Sequence, residues 1–232
     1  MKKLNPFHEK RKVGLLLTFL GGAMDGYTYI HYDVFASAQT GNLVLAIIQG
    51  SNGQWGNVLK KLLSTLFFFG GILLAKFLKQ LFDENKVYYW RLYVLFYEAA
   101  IFAFVGLSAI NIHPALVTVI ISFSASIQWI SFDKIDGRAY TNLFTTGNLK
   151  GMTVGFYDYF VGKKQEAKDV FYHYLWVVVA FILGVVTIVF VYHQVDRYAV
   201  FLISALFLYL AVSQTWKVWK FYHQERPIIS KK

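Results

Sequence analysis

A chain of 232 residues that is 56% hydrophobic, 19% aromatic and only 16% charged is too apolar for a soluble domain of this length. Its formal net charge of +10 comes from basic residues that flank apolar runs, not from a patch interleaved with exposed aromatics, and this argues against a nucleic-acid partner. The absence of cysteine excludes disulfides, thiolate chemistry and cysteine-ligated metals.

Six windows are long and apolar enough to cross a hydrocarbon core of about 30 Å: residues 13–31, 60–78, 91–110, 114–132, 171–192 and 198–216. They are read as helices, because a closed barrel would alternate in polarity. The first window follows Lys2, Lys3, Lys10, Arg11 and Lys12, in the manner of a signal peptide. Its apolar run continues through GYTYI without a small-x-small cleavage site, so it is expected to be retained as a span. Asp25 lies near the middle of this window, where an ionised carboxylate costs several kcal/mol unless it is partnered. It is a candidate solute and proton group; the alternative is a packing role with Tyr27, Tyr29 or backbone N–H groups as hydrogen-bond donors.

Between the first two windows stands SAQTGNLVLAIIQG, residues 37–50, and between the fourth and fifth stands FTTGNLKGMTVG, residues 144–155. The stretch from Leu43 to Gln49 would make a helix of about 10 Å, a half-span. Thr40 or Asn42 is expected to cap its amino end, with Gly41 allowing a sharp turn. Thr146, Gly147 and Asn148 repeat the arrangement. An extended segment, residues 32–39, would descend into the bilayer before the helix climbs out again. Helix amino termini at that depth offer unpaired N–H groups and a positive dipole end to an anion, carboxylate or carbonyl. The alternative is a pair of short interfacial helices that serve packing alone.

Glu98, in the third window, is the second intramembrane carboxylate and a candidate for proton coupling beside Asp25, or for a packing bond to Tyr97. Lys150 stands one turn into the second short helix, where it would pair with Asp25 or snorkel to the interface. Lys76 is read as another snorkeller. His31 with Asp33, and His173 with His193, lack the i, i+4 spacing of helical metal ligands and sit at span ends, so no metal or other cofactor is expected. No nucleophile elbow or phosphate loop is present, and no enzymatic activity is expected. Glycines at 21–26, 70–71 and 106 suit close helix packing. Aromatic residues at 88–90, 129, 172–176 and 216–219 suit interfacial belts.

Basic residues poll the loops. The amino terminus, the 79–91 connection, the 133–170 connection and the carboxyl tail are rich in Lys and Arg, whereas 110–113 has none and 193–197 only Arg197. Six spans with both termini cytoplasmic satisfy this pattern; counting the TGN segments as full spans would invert it. The expected fold is an all-α, multi-pass cell-membrane domain with tails at 1–12 and 217–232. Residues 13–110 and 114–216 form a 3+3 inverted-topology repeat with two re-entrant or broken half-helices at the TGN motifs.

GGAMDGYTYI followed by VFASAQTGNLVLAI, then SASIQWISF and TTGNL, resembles the YoaK-like family of bacterial integral membrane proteins, a domain of unknown function. The likeness spans roughly residues 12–216 and is most specific in Gly-x-x-Asp-Gly, Gly22 to Gly26. It implies a polytopic membrane protein of prokaryotic type with no established substrate. SIQWISF, which holds the candidate site residue Gln128, departs from the Gln-Asn pair that the family tends to read there. The function expected from these features is a secondary transporter or permease for a small solute or ion, bound near the membrane midplane by Asp25, Thr40, Gly41, Asn42, Gln128, Thr146, Gly147 and Asn148. A passive channel and a non-transporting scaffold or accessory subunit are the alternatives. A homodimer is the expected default for a small bundle.

Overall fold

A computed structural model describes residues 7–85 and 89–225. Lys2, Lys3, Lys86, Tyr88, Arg226, Lys231 and Lys232, used above to poll loops and belts, lie outside the described residues. After a 3₁₀ turn at Phe7–Glu9 come α1 (Arg11–Tyr32), α2 (Gln39–Ser51), α3 (Trp55–Glu84), α4 (Trp90–Gly106), α5 (Ser108–Asn111) and α6 (Pro114–Ser131). A hairpin of two-residue strands follows, β1 (Lys134–Ile135) and β2 (Arg138–Ala139), then α7 (Thr146–Phe156), α8 (Ala167–Val195) and α9 (Val200–Glu225). The architecture is all-α apart from that hairpin. Among the described residues, three helical stretches are long and apolar enough to cross a membrane: Trp55–Asp83, Pro114–Ser131 and Ala167–Phe221, the last holding α8 and most of α9.

The window expected at 91–110 ends early, at Gly106, where the chain breaks into the short α5. The short helices differ more from expectation. α2 runs for 13 residues, about 20 Å, rather than from Leu43 to Gln49. The helix takes in the TGN motif from Gln39 at its head and Gly50 and Ser51 at its tail, and the chain leaves it at Asn52 and Gly53, the latter in the left-handed conformation.

Polarity is arranged inside out. Leu66, Phe69, Leu73 and Phe77 of α3, Ile182, Val186 and Phe190 of α8, and Leu208, Val212 and Trp216 of α9 are exposed. Meanwhile α6 buries Ser122, Ser124, Ser126, Gln128 and Ser131. An apolar exterior around a hydrogen-bonding interior suits a lipid solvent.

The principal pairings are α1 with α8, α3 with α6, α4 with α9, α2 with α3 and α7 with α8. The first two are parallel: Gly22 meets Phe181 and His31 meets Tyr192, while Ser64 meets Ser122 and Lys79 meets Asp133. Gly22 and Gly184 make the α1–α8 crossing close. A Cβ on Gly22 would overlap the carbonyl of Phe181, and one on Gly184 the carbonyl of Phe19.

The chain doubles back after α1. Asp33, in the left-handed conformation, turns it; residues 34–38 run back beside α1 until Ser37 reaches Asp25, about 12 Å below Asp33 along the helix. α2 then returns until Gln49 Nε2 donates to Asp33 Oδ2 at 2.7 Å. The turn is held by α3, since the fully buried Lys61 donates to both the carbonyl and the carboxylate of Asp33 and Lys60 donates to the carbonyl of Tyr32 at 3.0 Å. These two lysines answer the carbonyls left open at the end of α1.

Partial burial pushes the Asp33 carboxyl up, but bonds from Lys61 and Gln49 and the charges of Lys61 and Lys60 outweigh it, and the group ends below the usual carboxylate range. A depressed folded-state pKa adds stability above the unfolded value, near 3.9, and that contribution fades as pH falls through the folded value. Asp33→Asn, which tolerates the left-handed turn, is therefore expected to lower stability at neutral pH and to flatten its pH dependence below about pH 4. Denaturant unfolding of both proteins across that acid range checks this; parallel curves would refute the assignment.

Candidate functional site

Asp25 is 5% exposed. Its Oδ1 accepts the Ser37 N–H at 2.7 Å and its Oδ2 accepts the Ser37 hydroxyl at 2.6 Å. One turn on, the Thr28 hydroxyl donates to Met24 O and accepts the Ala36 N–H at 3.0 Å. The side chains of α1 therefore hold the returning segment along its length. Of the donors expected for Asp25 the backbone supplies one, the Ser37 N–H, whereas Tyr27 and Tyr29 make no bond to it. Tyr27 instead donates to Arg197 O and accepts from Asn111 Nδ2. Lys150 is exposed and forms no ion pair with Asp25.

The TGN motifs do not cap. α2 begins at Gln39 and α7 at Thr146, so Thr40, Gly41 and Asn42, like Thr146, Gly147 and Asn148, fall in the first helical turn, and no side chain bonds either helix end. Asn42 and Asn148 each reach back seven residues. Asn42 accepts the Phe35 N–H at 2.9 Å and donates to Phe35 O at 2.8 Å. Asn148 accepts the Thr141 N–H at 3.3 Å and donates to Thr141 O at 2.8 Å. The asparagine is needed because only a side-chain amide supplies an acceptor and a donor at once to a lone backbone unit. Both side chains are buried and committed to the loops. Gly41 does not make a sharp turn; it lets the Phe35 ring lie against the helix.

A cleft of about 440 Å³ opens where the two short helices begin. Asp25, Gly26, Tyr29 and Ile30 of α1 form one wall, and Phe181, Val185 and Val189 of α8 another. Phe35 and Ala38 bring the start of α2 to it, and Phe144, Thr145 and Thr146 the start of α7. Of the expected site residues the cleft joins Asp25 and Thr146. It does not take in Thr40, Gly41, Gly147 or Gln128. Thr40 and Gly147 are exposed elsewhere, and Gln128 is fully buried, its Nε2 donating to Leu17 O and Asn142 Oδ1, each at 3.3 Å.

Glu98 lies apart from the cleft. It is fully buried on α4, with Oε2 accepting the Ser124 hydroxyl of α6 at 2.6 Å and Oε1 without a partner. Tyr97 is not that partner. His31 bridges Tyr192 and Asn111 through its two ring nitrogens. Among the described residues no group of three or more His, Cys, Asp or Glu could hold a metal ion.

Sequence reasoning missed Ser37, Ser124, Thr145 and the α8 wall. Ser37 and Thr145 carry a weak signal, since each precedes a TGN motif by a few residues. The α8 residues carry none, because an apolar wall reads like any other lipid-facing run.

A family model described as a protein of unknown function, DUF1275, matches residues 13–213. The chain belongs to the DUF1275 family. The match starts near the head of α1, ends within α9, and includes every residue of the cleft. Neither a curated protein nor a solved structure matches the chain.

Proposed function

We propose that this DUF1275 protein is a secondary transporter for a small solute, which binds in the cleft between the starts of α2 and α7 with Asp25 at its wall. The observation that carries this reading is that cleft, where a buried carboxylate and two helix amino ends from opposite halves of the chain meet in an apolar setting. Solute sites of this kind form where interrupted helices converge near the bilayer midplane.

The proposed topology is six spans in a 3+3 inverted repeat, with both termini cytoplasmic and the two TGN hairpins re-entrant from opposite faces. Several features support it. α1 packs on α8 as α6 packs on α3, α2 lies on α3 as α7 lies on α8, and α4 pairs with α9. Such exchange of partners is what a two-fold axis in the membrane plane would produce. The paired Asn42–Phe35 and Asn148–Thr141 clamps obey the same relation. Asp25 and Glu98 are assigned the coupling proton, as the carboxylates buried in the proposed spans.

Uptake into proteoliposomes from a panel of small amines, amino acids, carboxylates and sugars, with and without a pH gradient, tests this. Transport of at least one solute is expected, at least about tenfold slower with folded Asp25→Asn. A folded Asp25→Asn protein that transports like wild type, or no flux of any solute, would overturn the assignment.

A further inference from the structure

We infer that the cleft takes a small organic cation with an apolar or aromatic body, its ammonium group set against the free edge of Asp25. This rests on the transporter reading and names its substrate class.

The sequence alone leaves the sign open, because a helix amino terminus takes an anion, a carboxylate or a neutral carbonyl oxygen. The geometry bears on the choice. The donors at the mouth of α2, the Ser37 N–H and hydroxyl, already point at Asp25, so the protein's own carboxylate fills that anion position. A bound carboxylate or phosphate would have to lie beside the Asp25 carboxyl, whose donors are already taken, in a largely apolar cleft where two ionised acids repel with little screening.

Among the described residues no cation pairs with Asp25: the ion pairs join Lys61 to Asp33, Lys79 to Asp133 and Lys164 to Asp158. Each carboxylate oxygen accepts one bond from Ser37, the backbone N–H groups of Ala36 and Ala38 also favour the carboxylate, and the side facing the cleft keeps lone-pair capacity for another donor. The rest of the lining suits an amphiphile. Tyr29 and Phe35 stack with ring centroids 4.4 Å apart, and Phe144 and Phe181 face the same space. Aromatic faces attract a desolvated ammonium and cover its hydrocarbon. Thr145 Oγ1 is buried without a partner at the start of α7, a further acceptor. A sugar-like solute is disfavoured, because so few polar groups would leave most of its hydroxyls unsatisfied.

Three probes that share a phenethyl body test this on the purified full chain in detergent by isothermal titration calorimetry at neutral pH: 2-phenylethylamine, 2-phenylethanol and 3-phenylpropionate. The amine is expected to bind at least about tenfold more tightly than either of the others. Asp25→Asn should remove that preference, and Phe181→Ala, which keeps the carboxylate, should weaken amine binding several-fold. Equal or tighter binding of the alcohol or the carboxylate, no amine binding by folded protein, or a preference that survives folded Asp25→Asn would each overturn the inference. The two proposals fail separately. Transport of a carboxylate with no amine binding sinks the cation assignment alone, whereas amine binding at Asp25 without flux of any solute supports the cation site and sinks the transporter.

Discussion

Replacing Asn42 with alanine is expected to destabilise the protein by about 2–3 kcal/mol, since it strands the N–H of Phe35, leaves the Phe35 C=O only a long bond from the Ser64 hydroxyl at 3.4 Å, and removes a bond to Gln39. A buried backbone group left without a partner costs about 1–3 kcal/mol, and here the lost bonds to the carbonyl and to Gln39 add to it. Asn148→Ala is expected to cost less, about 1–2 kcal/mol, because its bond from the Thr141 N–H is longer, at 3.3 Å, and less is lost with it. Reversible unfolding in mixed micelles compares the two. If Asn42→Ala unfolds like wild type, the asparagine is no clamp, and a role facing solute returns to consideration.

The second large effect concerns the α1–α8 crossing. Gly184→Val would drive a Cβ into the carbonyl of Phe19 and force the two backbones apart along their contact. Small residues let helix backbones approach in lipid, where no hydrophobic term holds them together. A loss above about 4 kcal/mol, or failure to yield folded protein, is expected. Gly70→Val is the control: it sits on the apolar α3, and an added Cβ there meets nothing within 4 Å. Equal yields and melting temperatures for the two variants would mean that the crossing tolerates a wider spacing.

Helical content and membrane-compatible length were legible in the sequence because both follow from uninterrupted apolar runs. The place of the site was legible in part. Asp25 stood out as a charge in an apolar window, and the repeated Thr-Gly-Asn marked where the chain turns. What those residues do was not legible. A capping motif and a back-reaching clamp have the same composition, and only the position of Ala38 and Phe35 relative to Asn42 separates them. The length of α2 was misjudged because a helix that need not cross a bilayer has no length rule to obey. The sign of the solute was not legible for a different reason: Ser37 is one serine among several, and nothing local ties it to a carboxylate twelve positions earlier.

The exchange of partners between the halves has a consequence for biogenesis. The glycine face of α1 finds its closest match in α8, which leaves the ribosome more than a hundred residues later. Until then, Asp25 and the notch around Gly22 have no lid, so the nascent chain must wait, half-assembled and in need of shelter by the insertion machinery, for its second half. Cutting the gene between α5 and α6 should therefore yield two fragments that are each degraded alone and are rescued when expressed together.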